Sequence, residues 1–91
     1  MTEVDARTPH ERRAAAVAAL HEAVAPAAAG YVITMTGPEI AARIRKLAPL
    51  SKAPRWALAV QAWAAAVEDA QQPGLAYLQH SVHFGYAVQG L

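Results

Sequence analysis

The chain has 91 residues, a formal net charge of +1 and no cysteine. That length makes one domain with a modest core, and the missing thiols exclude disulfides and cysteine-ligated zinc. No run reaches the ~18 apolar residues of a membrane span, and Glu3 and Asp5 stand where a secretory leader would be basic, so a cytoplasmic protein is expected.

Residues 1–7 are polar and are expected to form a flexible N-terminus, with 8–91 as a single compact domain. Thr8-Pro9-His10-Glu11 is a strong helix start. Thr8 can cap, Pro9 suits the first helical position, and Glu11 can reach back to the cap. The helix is expected to run to about Val24, with Val17, Leu20 and Val24 as its apolar stripe and Pro26 and Gly30 as its stop. Tyr31-Val32-Ile33-Thr34-Met35 is short, rich in β-branched and aromatic residues, and bounded by Gly30 and Gly37, which reads as a strand. Thr36-Gly37-Pro38-Glu39 repeats the Thr-x-x-Glu signature and opens a second helix over about 38–47. Ile40, Ile44 and Leu47 form one face of it, and Pro49 closes it.

A third helix is expected from about Pro54 to Ala70. Trp56, Val60, Trp63, Val67 and Ala70 recur at alternating spacings of four and three, one continuous seam. This seam reads as core or as a dimer interface. Of the hydrophobic residues 24 are alanine, which favours helix but buries little, so a homodimer that completes the core is expected. Alanine and arginine excess over lysine also has the look of high-GC bacteria and their phages. In the last segment Leu75, Leu78 and Val82 suit a helix, whereas Val82, Phe84, Tyr86 and Val88 alternate at period two. The alternation, with Gly85 and the aromatic enrichment, favours a strand over 82–88.

Charge is distributed unevenly. Arg43, Arg45, Lys46, Lys52 and Arg55 fall within one short stretch without an acidic residue, while the segments on either side are net negative. Five cations between two helices suit a polyanion, because each Lys or Arg placed on a phosphate releases a counterion. The same charges also serve as an ordinary solvated helix face, and Glu39 stands one turn before Arg43 as a favourable pair.

Helix, strand, helix, helix and terminal strands follow the order of a winged helix-turn-helix domain. Thr36-Gly37-Pro38-Glu39-Ile40-Ala41 resembles the opening of its first motif helix, and Ser81-Val82-His83-Phe84-Gly85-Tyr86-Ala87-Val88 resembles the last wing strand of the response-regulator type. The resemblance implies that the third helix enters the major groove of duplex DNA and that the turn before it meets phosphates. The chain departs from the pattern in an apolar recognition helix (Trp56, Leu58, Trp63) and a wing without Arg or Lys.

Catalysis is not expected. Ser51 and Ser81 lack a nucleophile elbow, and the adjacent Glu68 and Asp69 diverge on a helix. His80 and His83 would share a face in a helix but not in a strand, and no carboxylate lies close by in sequence, so neither metal nor cofactor is expected. The expected fold is α+β and mostly helical: three helices, a short strand and a C-terminal strand or hairpin, winged-helix-like, with an all-α small bundle as the alternative. The expected function is a small DNA-associated regulator that meets duplex DNA through Arg43, Arg45, Lys46, Lys52 and Arg55. The alternative is a non-enzymatic protein–protein interaction module, an accessory or phage-encoded factor, working through the Trp seam or the C-terminal aromatic strand.

Overall fold

A computed structural model describes residues 6–28 and 35–91. Four helices follow in chain order: α1 (Pro9–Ala28), α2 (Gly37–Arg45), α3 (Pro54–Glu68) and α4 (Pro73–Ala87), with one 3-10 turn over Ala48–Leu50 between α2 and α3. No strand occurs among the described residues. This overturns the α+β expectation and with it the wing; the all-α small bundle is the architecture present.

Both Thr-x-x-Glu signatures form. The Glu11 amide donates to Thr8 Oγ1 at 3.2 Å, and the Thr8 amide donates to Glu11 Oε1 at 3.0 Å. At α2 the Glu39 amide donates to Thr36 Oγ1 at 3.3 Å while the Thr36 amide and hydroxyl both donate to Glu39 Oε1. Each box satisfies orphan amides of the first turn. Glu39 therefore commits its carboxylate to the cap of its own helix. The two Thr8 hydrogen bonds, backbone first, hold the Glu11 carboxyl below its ordinary pKa.

α1 corrects one boundary. It runs through Pro26 to Ala28. A proline this close to a helix end removes a single donor, and its fixed φ is already helical. The strand expected over 31–35 lies outside the described residues except for Met35, which is buried and belongs to neither helix nor strand.

α3 is the central element, packed against α2 on one side and α4 on the other, while α1 lies chiefly along α4. Trp56, Val60, Trp63 and Val67 are all buried within the single chain, facing Ile40 and Ile44 of α2 and Tyr77 and Phe84 of α4 in one core cluster. The seam is core, covered without a second copy. The indole of Trp63 stacks on Phe84 (centroids 4.8 Å apart, 29°) and on Tyr77 (5.1 Å, 27°), and Trp56 meets Phe84 edge-on at 5.1 Å. Trp56 Nε1 donates to the Leu47 carbonyl at 2.7 Å, which pins the end of the α2 region to the start of α3.

These rings decide the last segment. On a helix, Tyr77 and Phe84 stand two turns apart on one stripe and both reach Trp63. A strand over 82–88 would gather Val82, Phe84 and Tyr86 on one face, yet only Phe84 of these is buried. The aromatic packing against α3 overrides the period-two pattern and the helix-weakening Gly85.

Candidate functional site

The five cations do not converge. Arg43 and Lys46 look across from α2 to Ala16, Leu20 and Ala23 of α1 along a shallow groove. Arg45 points the other way and grips Glu68 at the end of α3 with two hydrogen bonds, 2.7 Å and 3.1 Å. That contact holds the Glu68 carboxyl below its usual pKa and raises Arg45 further. Arg55 donates to the Gln89 carbonyl at 3.2 Å, beyond the end of α4. Lys52 is exposed in the segment before α3. Two of the five are thus engaged in holding α3 to its neighbours, and the remaining three occupy two separate places.

A cavity of about 420 Å³ opens between α1, α3 and α4. Trp56, Trp63 and Phe84 form its floor, and Gly85 and Val88 lie along its α4 wall. His10, Arg13 and His21 of α1 stand around it, and among the described residues no aspartate or glutamate lines it. The Arg13 guanidinium carbon sits 5.9 Å from the centre of the Trp56 ring, a cation–π contact. His21 Nδ1 shares a 2.8 Å hydrogen bond with the Tyr77 hydroxyl.

Burial pushes the Tyr77 phenol up to a pKa of about 12. An unfolded chain releases that proton near pH 10. Between the two values the unfolded state binds fewer protons, so stability is intact below about pH 10 and falls as pH rises toward 12, by about 2–3 kcal/mol in all. Urea midpoints measured across that window should drop steeply in the parent chain and much less in Tyr77→Phe. Equal slopes in the two would refute a protected phenol.

The opposite side of α4 is unlike an ordinary solvated helix face. Leu75, Leu78, Val82 and Tyr86 follow one another at helical spacing on the side away from α3, Val82 55% and Tyr86 74% exposed. No Lys, Arg, Asp or Glu occurs after Asp69, so the helix presents this stripe without charge. His80 and His83, which a strand would have separated, meet edge to face with ring centres 5.4 Å apart beside Ala59 and Ala62 of α3. Among the described residues no group of three metal-ligating side chains forms, and no helix is long and apolar enough to cross a membrane.

The sequence reading looked first to the basic stretch and, as its alternative, to the C-terminal aromatic strand; it did not single out Arg13, nor the row Leu75, Leu78, Val82 and Tyr86 as one helical stripe. The signal for the stripe was present: Leu75, Leu78 and Val82 at 3-4 spacing, in a segment free of charge. Arg13 carried no signal, because only the meeting of α1 with α3 sets it over Trp56. Comparison of the chain with protein-family models, with curated proteins and with solved structures finds no match.

Proposed function

We propose that this protein is a non-enzymatic interaction module and that the outward face of α4 docks onto the same face of a second copy. The carrying observation is the row Leu75, Leu78, Val82 and Tyr86, exposed on a helix with no formal charge. Contiguous exposed apolar surface marks an interaction site more often than chance. A two-fold interface sets a patch against itself, so a charged patch would repel its copy, whereas a neutral apolar one is self-complementary. The Trp seam is already covered by its own chain, which supports α4 over the seam as the docking surface.

Sedimentation at several protein concentrations tests this. The expected result is a dimer that persists in high salt and returns to monomer in Val82→Lys, with an unchanged helical circular dichroism spectrum. A parent chain that stays monomeric throughout overturns the self-docking face. The duplex-DNA reading retains Arg43, Lys46 and Lys52, which are exposed and make no ion pair among the described residues. An anisotropy titration with duplex DNA at low salt separates the two. Binding that weakens steeply with salt and is lost on changing Arg43, Lys46 and Lys52 together to alanine favours the regulator.

A further inference from the structure

The cavity between α1, α3 and α4 is built differently from the rest of the surface. We infer that it binds a small amphipathic anion, a compact apolar body bearing one carboxylate. The inference is independent of the docking face, because α4 turns one side to the cavity and another to solvent.

Size comes first. About 420 Å³ falls in the range of pockets that enclose small organic ligands. The floor then selects the body. Only narrow edges of Trp56, Trp63 and Phe84 reach the cavity, and mutual stacking and edge contacts hold them, so the floor is apolar and fixed before anything binds.

The rim selects the charge. Among the described residues that line the cavity, Arg13 alone carries a formally charged side chain. A cationic guest would be repelled by Arg13. Arg13 makes no hydrogen bond or ion pair among the described residues, and its contact with Trp56 holds the guanidinium over the floor. A planar guanidinium with unused N–H groups is a ready two-point partner for a carboxylate. The other polar groups are partly spent. The Ser81 hydroxyl donates to the Leu78 carbonyl at 2.7 Å, and His21 Nδ1 is held by Tyr77, leaving Nε2 of His21 and the exposed His10 ring as secondary partners.

The wall supplies the test. A Cβ added at Gly85 meets nothing within 4 Å, so Gly85→Leu can place a larger side chain at this wall without a clash at its base. Ala14→Phe fills the same space from α1, away from the outward face of α4. The probes are 2-naphthoate and its uncharged amide, followed by quenching of tryptophan emission and by calorimetry. The carboxylate should bind saturably and at least about tenfold more tightly than the amide. Arg13→Gln should erase that difference. Gly85→Leu and Ala14→Phe, each with a parent-like circular dichroism spectrum, should abolish binding of both probes. Absence of saturable naphthoate binding at millimolar concentration overturns the proposal. So does equal affinity for acid and amide, or binding that survives in both filled variants. Should either filled variant fail to fold, the Arg13→Gln comparison still decides the anion.

Discussion

Trp63→Ala is expected to cost about 3–5 kcal/mol, enough to unfold a large share of the molecules in a domain of this size. Trp63 is 2% exposed and packs against the rings of Tyr77, Phe84 and His21. Its indole stacks on both Tyr77 and Phe84, and its Nε1 donates to the Tyr77 carbonyl at 3.2 Å. Truncation removes the transfer energy of the ring and the stacking, and it leaves a cavity that α3 and α4 cannot close without losing their other contacts. Trp63→Phe keeps part of the ring and should recover a substantial part of the loss. Urea unfolding followed by circular dichroism measures both. A cost below about 1 kcal/mol for the alanine variant would mean that the helices close over the gap, contrary to the packing described.

Gly37→Ala is the second large effect, and it is large for a single methyl group. A Cβ at this position would lie 2.7 Å from the Glu68 carbonyl oxygen and 2.8 Å from that of Val67. Both are backbone atoms of the last turn of α3, so neither can rotate aside. The start of α2 would have to lift away, carrying with it the Thr36 cap and the buried Ile40. The expected cost is about 3 kcal/mol, at the upper end for overpacking. Gly85→Ala is the control: nothing opposes its Cβ, and it should stabilise α4 by about 0.5–1 kcal/mol through helix propensity. Thermal melts of the two variants should therefore move in opposite directions. A neutral Gly37→Ala would mean that α2 and α3 are further apart than described.

Gly37 also locates the limit of sequence reading. It was legible as part of a helix start, since Thr36-Gly37-Pro38-Glu39 declares a cap from four neighbouring residues. Its closeness to Val67 and Glu68, some thirty residues on, left no local trace. The basic stretch shows the same division. That Arg43, Arg45 and Lys46 fall off the Ile40–Ile44–Leu47 face follows from helical geometry alone. That Arg45 turns toward Glu68, and Arg55 toward Gln89, depends on pairings across 23 and 34 residues.

What the chain determines locally is therefore its punctuation and its seam: two capping boxes, prolines that open helices, and the Trp56–Val60–Trp63–Val67 spacing. Such features involve residues a few turns apart at most, so helical geometry alone relates them. The state of residues 82–88, the direction of each cation, and the cavity beneath Arg13 were decided by the assembled bundle. The period-two and helical patterns were both satisfied by the same side chains in α4, and only the rings of Trp63 and Trp56, supplied by another helix, made one of them lower in free energy.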